Sequence, residues 1–120
     1  MSRIICYFNS MECIFCEIAS GRTKAEILGE NRTCIAIKDI FPKAKEHCLI
    51  IPKNHIAESA HSKESDKVIL DAFDLIRSTA KKLEIDETGY RIVTNHREHA
   101  GQTVDHLHFH VLGGEKLKEM

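Results

Sequence analysis

Apolar and polar positions alternate with a period of two in several short stretches of the chain. In Thr33–Asp39, Cys34, Ala36 and Lys38 fall on one side and Ile35 and Ile37 on the other, which predicts a strand. Ala25–Glu30 reads as its partner across a tight turn at Glu30-Asn31-Arg32. Pro42 interrupts the pattern, and a strand resumes through Cys48-Leu49-Ile50-Ile51, within His47–Pro52. Between Ser65 and Leu83 the period lengthens. Val68, Ile69, Ala72, Phe73, Ile76, Ala80 and Leu83 recur at three- and four-residue steps, the stripe of an amphipathic helix. Ser65 is placed to cap it, with Lys81 and Lys82 at the negative end. Gly89–Asn95 and His106–Leu112 read as further strands, and Cys13–Ser20 as a short helix stopped by Gly21. The order predicts an α+β fold with a mostly antiparallel sheet, one long helix and a short N-terminal helix.

The chain has 120 residues, of which 42% are hydrophobic and 29% charged, the balance of one ordinary globular domain. Residues 11–120 read as that domain, and residues 1–10 as an extension ahead of a second possible start at Met11. No uncharged run approaches the roughly 18 residues of a membrane span. Seventeen Lys and Arg against eighteen Asp and Glu leave a net charge of −1, which disfavours a nucleic-acid partner. The five cysteines cannot all pair, and Cys34 and Cys48 sit in apolar runs as buried thiols do; a reducing cytoplasm is expected.

Eight histidines are the unusual part of the composition, and three of them occupy five residues. On a strand, His106, His108 and His110 share one face at roughly 6.6 Å spacing, while Leu107, Phe109 and Val111 face the core. Such a face suits either a zinc site or an imidazole nucleophile that attacks phosphorus. The preceding Gly101-Gln102-Thr103-Val104 favours the second, because a flexible loop with a hydroxyl and an amide can cradle phosphate oxygens. Asn95, closing the preceding strand, can fix an imidazole by a hydrogen bond. Cys13-Ile14-Phe15-Cys16 is a pair at metal-ligand spacing. By itself it is half a zinc site or a chance pair on a short helix, and no thioredoxin-like βαβ pattern surrounds it.

Gly101-Gln102-Thr103-Val104-Asp105-His106-Leu107-His108-Phe109-His110-Val111-Leu112 resembles the signature of the histidine triad (HIT) superfamily, in its branch of nucleotide-binding proteins and purine nucleoside phosphoramidases. Cys13-Ile14-Phe15-Cys16-Glu17-Ile18, Lys38-Asp39-Ile40-Phe41-Pro42 with His47, Ile51-Pro52-Lys53-Asn54-His55, and Gly89-Tyr90-Arg91 with Asn95 follow in that family's order. The similarity runs from Met11 to Gly114. It implies a HIT-like fold, a homodimer with a sheet continued across the interface, and a pocket for a purine nucleoside monophosphate such as AMP or GMP.

Position by position, the resemblance assigns His108 as the nucleophile that becomes nucleotidylated, His110 as the group that assists the leaving atom, and His106 as the orienting member. Asn95, Gly101, Gln102 and Thr103 become phosphate-side contacts, Asp39 the acceptor of the ribose hydroxyls, and Ile14, Phe15, Ile18, Ile37 and Ile40 the apolar slot for the base. It further implies a structural zinc held by Cys13, Cys16, His47 and His106, with His96 and His99 as rival donors. The implied activity is hydrolysis of nucleoside 5'-phosphoramidates or related phosphoesters; the alternative is a nucleotide-binding regulatory module with little catalysis. No residue of the slot is identified that reads an exocyclic group of the base. His96-Arg97-Glu98-His99 is more basic than the matching loop of relatives, and Asp105 stands where an aromatic residue is common.

Overall fold

The computed structural model describes residues 13–55 and 63–120; the possible extension at 1–10 lies outside these. Helix α1 spans Ile14–Ala19 and strands β1, β2 and β3 span Ile27–Glu30, Cys34–Lys38 and Glu46–Pro52. Helix α2 follows at Lys63–Lys82, then β4 at Tyr90–Val93, a single 3-10 turn at Glu98–Ala100, and β5 at Phe109–Gly113. The strands form one antiparallel sheet in the order β1-β2-β3-β5-β4. Among the described residues no helix is long and apolar enough to cross a membrane.

The turn between β1 and β2 is built by Asn31. Its side-chain oxygen accepts from the backbone N–H of Cys34 at 2.8 Å and of Thr33 at 3.2 Å, and its amide donates to the carbonyl of Asp71 on α2 at 2.9 Å. Thr33 Oγ1 donates to the Asp71 carboxylate at 2.7 Å. One side chain therefore both turns the chain and ties the hairpin to the helix.

The alternation of each strand sorts its residues between two buried clusters. Cys34, Ala36, Cys48, Ile50, Leu107, Phe109 and Val111 pack against Ala72, Leu75, Ile76 and Ala80 of α2. Ile35, Ile37, Leu49 and Ile51 face the other way, against Phe15 and the two cysteines of α1. The long helix thus covers one face of the sheet. The short helix covers only part of the other face, and the uncovered remainder is where a ligand has room.

Two expectations are corrected. Helix α2 begins at Lys63, so Ser65 lies in its first turn instead of capping it. Strand β5 begins at Phe109, so only His110 of the three clustered histidines lies in regular strand. The backbone N–H of His106 bonds back to the carbonyl of Val104 at 2.9 Å, a tight turn incompatible with a ladder, and pairing with β3 starts at Ile50 opposite Phe109. The side chains still alternate: Leu107 and Phe109 enter the helix-side core, and the histidine rings line up on the other face.

Candidate functional site

Three histidine rings follow one another across the open face of the sheet. Phe15 of α1 meets His108 edge-on, with centroids 4.9 Å apart, and His106 at 5.8 Å; His108 meets His110 at 5.1 Å. His106 and His108 each have one nitrogen on a backbone carbonyl, which assigns their tautomers, and that of His110 follows through His47.

His108 Nδ1 lies 2.7 Å from the carbonyl oxygen of His106. A carbonyl only accepts, so Nδ1 carries the proton and Nε2 keeps its lone pair. His106 Nε2 lies 2.9 Å from the carbonyl of Pro52, so there the proton is on Nε2 and the lone pair on Nδ1. The backbone N–H of Lys43 donates to His47 Nδ1 at 3.0 Å, which leaves the His47 proton on Nε2. That Nε2–H points at His110 Nδ1, 3.0 Å away, and at Asp39 Oδ2, 3.3 Å away. His110 Nδ1 is then an acceptor, and its own proton sits on Nε2.

These assignments hold at neutral pH because burial favours the uncharged rings. Desolvation is the largest cause of depression for all four. His106 is pushed down to about 4, and so is His110, with His108 and His47 adding like-charge repulsion at His110. His108 and His47 are lowered in the same direction.

A cavity of about 440 Å³ opens beside these rings, a size that suits a small molecule. Of the positions expected to bind a nucleotide, Ile14, Phe15, Ile18, Ile37, Asp39, Ile40, Asn95, Gly101, Thr103, His108 and His110 all line it. Gln102 is not in its wall. Its Oε1 accepts from the backbone N–H of Arg97 and its amide donates to the carbonyl of Val104, so it braces the loop from within. Gly101 closes the 3-10 turn at φ 87°, a conformation in which a Cβ is strained. Lys24, Lys38 and Thr23 line the cavity too, and sequence reasoning had missed all three.

The metal cluster differs from expectation in one ligand. The donor atoms of Cys13, Cys16, His55 and His106 all lie within 4.8 Å of one another. His106 Nδ1 is 3.2 Å from Cys13 Sγ and 3.4 Å from Cys16 Sγ, and His55 Nδ1 is 3.2 Å from Cys16 Sγ. Two sulfurs and two imidazole nitrogens are a donor set suited to zinc, and the His106 lone pair faces the thiols because Pro52 holds its other nitrogen. His47 belongs elsewhere. It opposes Leu112 at the far end of β3, five residues and thus roughly 17 Å along the strand from Pro52, whose carbonyl holds His106. His99 is exposed, and neither it nor His96 is part of the cluster. The signal for His55 was its position three residues beyond the end of β3, level with the start of the histidine run.

Asp39, His47 and His110 also bring three donor atoms together. Coordination through His47 Nε2 would require its proton to move to Nδ1, where the Lys43 N–H already donates. That trio is a hydrogen-bonded chain instead.

With fold and geometry in place, comparison with known proteins is decisive. The HIT domain family matches residues 20–117. This chain is a member of the HIT family. It is 40% identical over 108 residues to an uncharacterized HIT-like protein of Rickettsia prowazekii (strain Madrid E), covering 88% of this chain and 90% of that protein. Among solved structures, a HIT family hydrolase from Clostridium thermocellum superposes with a TM-score of 0.85 at 43% identity, over 91% of this chain and 96% of that one. A histidine triad nucleotide-binding protein from Candida albicans superposes with a TM-score of 0.76 at 32% identity, over 91% and 85%. The α+β HIT fold read from the sequence is therefore established for this chain.

Proposed function

We propose that this HIT protein hydrolyses nucleoside 5'-phosphoramidates or related phosphoesters through a nucleotidyl-histidine at His108. The observation that supports this most is the complementary pair of tautomers on one wall of the cavity: a lone pair on His108 Nε2 and a proton on His110 Nε2. His108 Nε2 attacks the α-phosphorus, and the bond from phosphorus to the leaving nitrogen, oxygen or sulfur breaks. The nucleotidylated ring becomes cationic, and its Nδ1–H remains on the His106 carbonyl, a hydrogen bond that strengthens as the charge develops. His110 Nε2–H hydrogen-bonds the leaving atom and gives it its proton as that bond breaks. Water then attacks from the same side and passes a proton back to His110 Nε2, the phosphorus–nitrogen bond to His108 breaks with its electron pair returning to Nε2, and the nucleoside monophosphate departs.

The remaining wall fits the substrate. Asp39 is an acceptor-only group at the mouth and can take both ribose hydroxyls, with Phe41 N–H steadying its Oδ1 at 2.8 Å. Asn95, Gly101 and Thr103 stand on the phosphate side, and Ile14, Phe15, Ile18, Ile37 and Ile40 form the slot for a purine.

The Cys13, Cys16, His55 and His106 cluster holds zinc in this reading. Four protein ligands fill its shell, so the ion supplies a structural cross-link between α1 and the start of the histidine run, not an activated water. The homodimer is part of the same reading. Among the described residues strand β4 pairs only with β5, and its half-buried Tyr90–Val93 edge is where a second copy would add. Cys34 and Cys48 are buried and form no disulfide among the described residues, which fits a cytoplasmic setting.

Turnover of adenosine 5'-phosphoramidate, with intact-mass detection of a nucleotidyl adduct after rapid quenching, tests the chemistry. His108→Ala should lose both adduct and turnover while still binding nucleotide. Wild-type protein that binds AMP or GMP but turns over no phosphoramidate or phosphoester would assign the pocket to a regulatory module instead.

A further inference from the structure

We propose that Lys24 selects the base, favouring a purine with an oxo group at C6 over one with an amine there. The inference deepens the nucleotide reading above and rests on it.

The sheet register sets the direction in which a nucleotide lies. His110 of β5 opposes Leu49 of β3, Leu49 opposes Ile37 of β2, and Ile37 opposes Ile27 of β1. Directly opposed residues share a face, so these four make one row across the sheet, about 14 Å over three strand spacings. The phosphorus belongs at the histidine end of that row. The apolar middle, Leu49 and Ile37, accepts the ring faces. The outer edge of the base then points toward the segment leading into β1, where Thr23 and Lys24 line the cavity.

The chemistry of that outer wall is unlike the rest of the slot. A lysine ammonium has three donors and no acceptor. A 6-oxopurine meets it with O6 and N7, two acceptors, whereas adenine presents N7 beside an amine that also donates. The Thr23 hydroxyl can donate or accept, so it tolerates either base. Lys24 is exposed, and among the described residues it is in no salt bridge. Its ammonium is therefore available to the ligand, and the backbone of the adjoining Thr23 is fixed by its N–H on the carbonyl of Glu17 at 3.2 Å.

Inosine and adenosine monophosphates are the matched probes, since they share the sugar and phosphate and differ at C6 and the adjoining N1 proton. Calorimetric titration of the zinc-loaded chain should give a Kd for IMP about fivefold lower than for AMP, the scale expected of a solvent-screened charged contact. GMP should follow IMP. In Lys24→Met the ratio should fall to near one, chiefly through weaker IMP binding. Equal wild-type affinities, or a ratio unmoved in the variant, would overturn base selection while leaving the nucleotide pocket standing. So would a parallel loss for IMP and AMP, because it would assign the lysine to the phosphate. Failure of every nucleotide to bind would overturn the pocket reading and this inference together.

Discussion

His108 donates its Nδ1–H to the main-chain carbonyl of His106, 2.7 Å away, so a residue of the metal cluster sets which nitrogen of the neighbouring histidine is free. The side chain of His106 faces the thiols and its carbonyl faces the His108 ring. Anything that loosens His106 therefore reaches His108 through one hydrogen bond.

Removing the metal should for this reason impair the enzyme without abolishing it. Cys16→Ser is expected to lose about one equivalent of zinc by elemental analysis, to melt at lower temperature, and to retain turnover reduced about 10- to 100-fold. Turnover that vanishes with the metal and returns stoichiometrically with it would make the ion catalytic and contradict a nucleophilic His108.

The identity of the fourth ligand gives a sharper contrast. His55→Ala should release the zinc, because His55 Nδ1 stands 3.2 Å from Cys16 Sγ. His47→Ala should retain it, because His47 belongs to the Asp39 and His110 chain at the other end of β3. Metal content after gel filtration in a weak chelator separates the two, and the reverse pattern would return the site to His47.

His47 has its own expected phenotype. It is 3% exposed, accepts from Lys43 N–H and donates to His110 Nδ1, so its removal leaves a main-chain donor unpaired and the His110 tautomer unassigned. His47→Ala should cost about 1–3 kcal/mol in denaturant unfolding. It should also lower kcat more than it raises KM, since the slot for the base is untouched. A variant with unaltered kcat would show that His110 keeps its tautomer unaided.

Most of this architecture was legible in the sequence because it depends on local period. Ile35 and Ile37 part from Cys34 and Ala36 by alternation alone, and the helical stripe from Val68 to Ala80 finds the sheet it was patterned for. The histidine face and the loop at Gly101–Val104 were legible from the residues themselves, whereas Ile14, Phe15, Ile18, Ile37, Asp39 and Ile40 entered the pocket wall through the resemblance to the HIT family. The register between distant strands was not legible. Nothing near His47 in the chain says that it opposes Leu112 and not a residue close to His106, and that pairing alone decides whether it reaches the thiols. Gln102 was misplaced for a similar reason: an amide beside a phosphate loop serves the loop or the ligand, and only the Arg97 and Val104 contacts distinguish them. Lys24 precedes β1, far in sequence from the histidines, and enters the wall through sheet order.

The depressed pKa of His110 predicts how stability depends on pH. In the unfolded chain this ring titrates near 6.5, and in the folded protein desolvation first, then His108 and His47, push it down to about 4. Below 6.5 the unfolded state takes up the proton before the folded state does, so acid favours unfolding. The contribution of the neutral ring is complete above pH 6.5, declines as the pH falls toward 4, and is gone below that. His110→Gln keeps an amide at the site but has no proton to gain. Urea unfolding of both proteins at pH 7 and pH 4.5 isolates the effect, because the other buried histidines and any bound metal are common to both. The stability difference between wild type and variant should move by about 1–2 kcal/mol in the variant's favour on acidification, allowing for the partial exposure of the ring. Parallel losses in the two proteins would mean that His110 already titrates normally in the folded state, and burial would then not be what keeps its ring neutral.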